Sequence, residues 1–257
     1  MAAPIPPATS FGTAFAAFGR TDLRTIRRDS LLIAVMLGPI GYALALWFLP
    51  ALTAHAHQQW DFDLAPYHSA IISAFCVLGP PLLLGAVMAL QLLDERDQDT
   101  LVALRVTPVP ATAYPAYRAL TTAVVTAMSV IASLALTGQV PPAALVLSVP
   151  IAVVAGLLAP ILGLVMSAIG RNKIEGLAVM RVMGLAVFTL PVVPFFFLDS
   201  PWQLAFGVLP PYWPVRAFWS AYDGGTYWPY VLGGLAYHAV VVVALLRLAT
   251  RQLARAG

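Results

Sequence analysis

Charged residues are scarce in this chain of 257 amino acids: Asp, Glu, Lys and Arg make up 10% of it, while 60% of the residues are hydrophobic. That composition is typical of a protein that crosses a membrane several times. The single cysteine, Cys76, excludes an intramolecular disulfide framework. The single lysine, Lys173, lies in Arg-Asn-Lys-Ile and not in Gly-Lys-Ser/Thr, so the sequence has no P-loop to hold a nucleotide.

Enzyme motifs are missing as well, since the chain has neither His-Glu-x-x-His nor Gly-x-Ser-x-Gly. The net charge of +3 is modest, and we interpret the basic residues as topology signals and lipid contacts, not as a nucleic-acid surface. His55-x-His57 and Asp61-x-Asp63 are metal-ligand types, but a flexible loop explains them better. We therefore predict no catalytic residue, metal or cofactor in this chain.

Six apolar segments are long enough to cross a bilayer, which takes about 20 residues in a helix. The predicted fold is all-α, a single membrane domain over residues 1–257, with spans at 31–49, 67–90, 114–137, 143–170, 177–198 and 228–248. A stripe of small residues on the fourth span predicts close helix packing: Ala155, Ala159, Gly163 and Ser167.

The basic residues give the orientation. Thirteen of the fourteen, Arg118 and Arg181 included, fall on one side of this topology, and only Arg216 falls on the other. Because Lys and Arg favour the cytoplasmic side, both termini are predicted to be cytoplasmic. Residues 1–10 are predicted to be disordered, and residues 11–28 to form an amphipathic helix in the membrane interface.

The most polar stretch, residues 91–113, separates the second and third spans and cannot lie in hydrocarbon. Leu101 and Leu104 have i,i+3 spacing in a short predicted helix, Thr100–Val106, that Pro108 ends. A solvated loop and a docking helix for a cytoplasmic partner both fit this local pattern. The charged residues of the stretch are Asp94, Glu95, Arg96, Asp97, Asp99 and Arg105.

This stretch resembles the signature of ABC-2 type exporter permeases, in which Glu-Arg-Glu-x-Gly-Thr leads into a helix and a Thr-Pro. The matching residues are Glu95, Arg96, Asp97, Thr100, Leu101, Leu104, Thr107 and Pro108. Asp99 stands where the family usually has glycine. The resemblance covers essentially the whole chain, and Pro201-Trp-Gln203 with 211–219 is most similar to fluoroquinolone or drug export permeases.

The resemblance implies that Leu101–Val106 is a coupling helix bound to a separate cytoplasmic ATPase, the ABC ATPase subunit that would bind ATP and Mg. It also implies a second permease, either another copy or a paralogue, in a bacterial cytoplasmic membrane. The cargo would be a hydrophobic small molecule, a drug or natural product. The residues assigned to coupling are Asp94, Glu95, Arg96, Asp97, Thr100, Leu101, Leu104, Arg105, Thr107 and Pro108.

The connection at residues 199–227 would then be a re-entrant outer segment. Its aromatic residues fit an interfacial belt, and four of them could form an outer gate: Trp202, Tyr212, Trp213 and Trp219.

His238 falls near the middle of the sixth span, where an ionisable residue is costly. A neutral histidine hydrogen-bonded between helices is favoured, while an ion-coupled secondary transporter built around His238 is the alternative function. An intramembrane enzyme would need paired ionisable groups in the spans, and the sequence shows none.

Overall fold

The computed structural model describes residues 30–97 and 113–255, and the regular structure within those ranges is helical. The part it describes holds six helical segments long and apolar enough to cross a membrane, so the predicted six-span, all-α organisation is confirmed. The predicted interfacial helix at 11–28 and the predicted coupling helix at 101–106 lie outside the described residues. Spans 1 to 6 are Val35–Trp60, Ala65–Arg96, Ala113–Leu136, Pro142–Ile169, Ile174–Phe197 and Trp228–Ala249.

The α-helices differ slightly from the spans because several spans contain a 3-10 or π segment. The α-helices are Ser30–Ala45, Leu49–Trp60, His68–Ile72, Gly79–Asp97, Ala113–Leu136, Pro142–Ile169, Lys173–Thr189, Tyr212–Tyr222 and Trp228–Arg255. The 3-10 segments are Leu46–Phe48, Ala65–Tyr67, Leu190–Phe197 and Pro201–Val208, and Ser73–Leu78 is a π-helix.

Span 1 is longer than predicted, because the helix does not stop at Pro50 but continues to Trp60. Pro50 lies in the first turn of Leu49–Trp60, where a missing N–H leaves no hydrogen bond unmade. The helix ends at Trp60, and the residue that caps it, Asp61, has a left-handed φ of 50°. His55 and His57 are therefore helical and not in a flexible loop, and within the described residues no group of three potential ligands could hold a metal ion.

Span 2 contains the π-helix Ser73–Leu78 directly before Pro80 and Pro81. A proline ring clashes with the carbonyl four residues before it and offers no N–H to that carbonyl. The helix adjusts by widening, and the Gly79 N–H donates to the Ala74 carbonyl, five residues back. A π segment of this kind in a membrane helix often lies at a functional position.

Spans 2 and 4 form the centre of the bundle, since most of their residues are buried, whereas fewer than a third are buried in each of the other four. They meet at Gly85 and Gly163: a Cβ on Gly85 would come within 2.7 Å of the Ala159 carbonyl oxygen. Ala155 and Ala159 are completely buried. The prediction of close packing along the small-residue stripe is confirmed.

Replacing Gly85 with alanine is expected to destabilise the protein by about 1–3 kcal/mol, because the added methyl group overpacks against a backbone carbonyl. Gly41 is the matched control, since it is also helical but a Cβ there meets nothing within 4 Å. Gly41→Ala should stabilise the protein by about 0.5–1 kcal/mol through helix propensity. Thermal unfolding in detergent, followed by circular dichroism, measures both, and effects of equal sign would contradict the tight crossing.

Candidate coupling site and outer segment

The ends of spans 2 and 3 on the side predicted to be cytoplasmic carry two polar pairs that flank residues 98–112. Gln91 and Glu95 are four residues apart near the end of span 2, and Tyr114 and Arg118 are four residues apart at the start of span 3. Side chains at i and i+4 lie on the same face of a helix, so each helix presents one polar face. The structure brings these two faces together.

Arg118 is the centre of this group, which we call the cytoplasmic clamp (Gln91, Glu95, Tyr114 and Arg118). Its Nη2 lies 2.8 Å from Glu95 Oε1 in an ion pair. Its Nε donates to the Tyr114 hydroxyl at 2.7 Å, and its Nη1 donates to Gln91 Oε1 at 3.3 Å. The Tyr114 hydroxyl in turn donates to Glu95 Oε1. The clamp therefore joins the last turns of span 2 to the first turns of span 3.

The clamp is largely removed from water, with the side chains of Arg118 and Glu95 only 11% and 15% exposed. Removing either member of a buried ion pair lowers the stability of the protein, because the remaining charge is left without compensation. Glu95 is only half satisfied, since its buried Oε2 has no hydrogen-bond partner among the described residues.

Arg96 extends the contact to span 4, where its Nη2 donates to the Ser167 carbonyl at 3.3 Å. Asp94, Glu95 and Arg96 are the predicted coupling residues whose side chains the structure describes, and all three lie at the end of span 2 that precedes residues 98–112. Asp97 is the last residue of that helix. The remaining predicted coupling residues lie outside the described residues: Thr100, Leu101, Leu104, Arg105, Thr107 and Pro108.

Most of the clamp was not predicted from the sequence. Arg118 was expected to contact lipid headgroups, and Gln91 and Tyr114 had no predicted role. Two i,i+4 polar pairs on either side of one polar segment were the available signal, but which helix faces meet depends on the tertiary packing.

The four residues predicted as an outer gate differ widely in exposure. Trp202 is 78% exposed, whereas Tyr212 and Trp219 are completely buried. Trp219 donates from Nε1 to Ser73 Oγ at 2.8 Å, which fixes the outer helix Tyr212–Tyr222 to the π-helix of span 2. The interfacial-belt prediction is wrong for Tyr212 and Trp219, because both are enclosed by protein. No observation tests the gate itself.

Arg216, the single basic residue predicted on the outer side, is held by neutral groups. Its Nε donates to Gln203 Oε1 at 2.7 Å, its Nη1 donates to Ser220 Oγ at 2.5 Å, and its guanidinium lies 4.6 Å from the centre of the Tyr230 ring. Burial raises the pKa of Tyr212 to about 12, so its hydroxyl stays neutral at physiological pH. These contacts hold Pro201–Val208, the outer helix and span 6 together.

His238 is completely buried in span 6, and its Nδ1 donates to the Gly234 carbonyl at 2.7 Å. The partner is four residues back in the same helix, so the prediction of a bond between helices is wrong. Its Nε2 has no hydrogen-bond partner in the part of the chain that the structure describes. The neighbouring Tyr237 donates to the Val208 carbonyl at 2.6 Å.

Comparison with known proteins adds an independent observation. The family model described as fluoroquinolones export permease protein Rv2686c-like matches residues 22–246 of this chain. Two proteins of Mycobacterium tuberculosis are each 42% identical to it over 235 residues, which is 91% of this chain and 93% of each relative. They are named fluoroquinolones export permease protein MT2760, from strain CDC 1551 / Oshkosh, and fluoroquinolones export permease protein Rv2686c, from strain H37Rv. No solved structure matches the chain.

Proposed function

The chain belongs to the Rv2686c-like family of fluoroquinolone export permeases, and on that premise we propose that it is the membrane subunit of an ATP-driven ABC exporter. It is a multi-pass membrane permease, a transporter and not an enzyme. Its cargo is a hydrophobic drug or natural product, taken from the cytoplasm or from the inner leaflet of a bacterial cytoplasmic membrane. Its relatives are named for the export of one such class of drug.

The observation that carries this proposal is the cytoplasmic clamp. Glu95 lies just before residues 98–112 and Arg118 just after them, and the two are paired at 2.8 Å. A coupling helix transmits force only if the spans at both of its ends respond together. A buried ion pair at the base of the segment supports that role, since it makes spans 2 and 3 move as one unit.

The energy for transport comes from a separate protein in this proposal. The single lysine of the chain lies outside any P-loop motif, so ATP and Mg would be bound by a partner ABC ATPase subunit. That partner would receive the predicted coupling helix, with Leu101 and Leu104 packing in its cleft. Burying two leucines contributes about 3–6 kcal/mol before ordering costs are subtracted.

A second permease subunit, a copy of this chain or a paralogue, completes the proposed exporter. The outer segment between spans 5 and 6 would re-enter the membrane. Tyr237 supports this, because it lies nine residues into span 6, about 14 Å along the helix, and still contacts Val208 of the outer segment.

An ion-coupled secondary transporter is the second candidate, and the unpartnered Nε2 of His238 is the observation that favours it. Intramembrane ionisable residues often mark ion pathways. His238 is a single such group, however, and its other nitrogen is bonded to its own helix. An ion-coupled transporter has no ATPase partner, so it would not explain why residues 94–108 resemble the permease signature.

Tagged protein purified from its native membrane is expected to bring down an ATPase subunit. Inverted membrane vesicles containing both proteins should accumulate a fluoroquinolone when given ATP, and vanadate should stop the uptake. His238→Gln provides the comparison, since it should leave ATP-driven uptake largely intact. Uptake that needs a proton gradient, ignores vanadate and is lost in His238→Gln would establish the secondary transporter instead.

A further inference from the structure

Arg181 lies inside span 5. Its helix begins at Lys173, so Arg181 is eight residues further on, about 12 Å along the helix axis. The sequence predicted span 5 at residues 177–198, with Arg181 near its cytoplasmic end, and the structure extends the span back to Ile174, so Arg181 lies seven residues inside it. A guanidinium at this depth needs an anionic or strongly polar partner.

The protein itself does not supply that partner within the described residues. Arg181 is exposed and has no ion pair or hydrogen bond there. Its neighbours on the same surface of the helix are apolar, and Leu185 is 71% exposed. The acid nearest in sequence, Glu175, accepts a hydrogen bond from the Arg171 backbone N–H at 3.0 Å. The cation therefore lies on an open apolar surface that a molecule from outside the chain can reach.

Aromatic rings continue the same face of the helix. Phe188 is seven residues after Arg181, which is two turns further on the same side and about 10 Å away along the axis. The ring centres of Phe188 and Phe75 are 6.2 Å apart, and those of Phe75 and Tyr42 are 5.6 Å apart. Phe75 belongs to the π-helix of span 2 and is 41% exposed. Spans 1, 2 and 5 thus form an open aromatic surface above one cation.

We propose that Arg181 and this aromatic surface form a recognition site for a planar aromatic carboxylate. The guanidinium fork matches a carboxylate in two parallel hydrogen bonds, and offset stacking on Phe75 and Phe188 orients the ring system. A rigid fused-ring acid on the order of 10 Å long spans the two turns between the cation and the rings. The inference rests on the proposed drug-export function and assigns residues of spans 2 and 5 to the recognition of a carboxylate-bearing cargo.

Binding to the full-length protein in phosphatidylcholine nanodiscs tests the site without any ATPase. The probes are a fluoroquinolone with a free carboxylate and its methyl ester. Binding is followed by intrinsic fluorescence, after subtraction of the signal from protein-free discs. Wild-type protein should bind the acid about tenfold more tightly than the ester, as expected for one charge-assisted pair. Arg181→Gln should abolish that preference, and Arg181→Lys should retain part of it. Phe75→Leu should weaken both probes equally.

Arg171→Gln is the matched control, because Arg171 is an exposed arginine in the loop just before the same helix; it should keep the preference for the acid. Equal binding of acid and ester by wild type overturns the site, and so does an Arg181→Gln variant that still prefers the acid. If Arg181→Gln still prefers the acid but no longer binds phosphatidylglycerol in anionic discs, Arg181 is a lipid contact and not a cargo site. The binding experiment contains no ATP, so it is independent of the proposed ATPase. If the preference for the acid is present but ATP-driven export fails, the proposed ATPase partner is contradicted and the binding site is not.

Discussion

Arg118→Gln is expected to lower drug export at least tenfold and to destabilise the protein by about 3 kcal/mol, the lower end of the cost of removing one member of a buried ion pair. The variant leaves the Glu95 carboxylate enclosed without its cation, since that side chain is only 15% exposed. It also removes the donor to the Tyr114 hydroxyl. ATP-driven uptake into inverted vesicles measures the loss of export, and thermal unfolding in detergent measures the loss of stability.

A double variant separates the structural role of the clamp from its role in coupling. Glu95→Gln with Arg118→Gln leaves no unpaired charge, so most of the lost stability should return. Export should stay low, because neutral amides hold the two helices less firmly than an ion pair does. Arg171→Gln controls for the loss of positive charge, because Arg171 is an exposed arginine on the same predicted side of the membrane. Full recovery of export with stability would show that the clamp supports the fold only.

The six spans could be predicted because the length and the apolar composition of a membrane-spanning helix are visible in the sequence. Span 3 is an example: residues 114–137 were predicted, and the structure has Ala113–Leu136. The positions of breaks were less predictable. The predicted span 1 ends before Pro50, but this proline lies in the first turn of a new helical segment and does not interrupt the helix.

The contacts that position the candidate site could not be predicted, since they depend on which helix faces meet. Aromatic residues near a span end have the same composition whether they face lipid or protein, and Trp219 was assigned to the interface for that reason. Its bond to Ser73 joins residues 146 positions apart. The ion pair of Arg118 and Glu95 is likewise a contact between two helices, and no local pattern fixes their relative rotation.

Leu101→Glu combined with Leu104→Glu is expected to abolish co-purification of the ATPase subunit. In the predicted coupling helix these two leucines supply the apolar contact, and losing even 3 kcal/mol of it weakens binding by more than about a hundredfold. The two introduced carboxylates add a desolvation cost when they enter an apolar cleft. Pull-down of the tagged permease, followed by quantification of the bound ATPase and its ATP hydrolysis, measures the effect.

The matched control places the same two charges on the opposite side of that helix. Ala103 and Val106 also have i,i+3 spacing, and at 100° per residue their shared direction is roughly opposite to that of Leu101 and Leu104. Ala103→Glu with Val106→Glu should therefore retain the ATPase, because the added carboxylates point away from the cleft. Equal loss in both pairs would mean that added charge alone prevents assembly. If the leucine variant still binds the ATPase, residues 101–106 are not the coupling helix. The proposed coupling role of the clamp would then be contradicted as well.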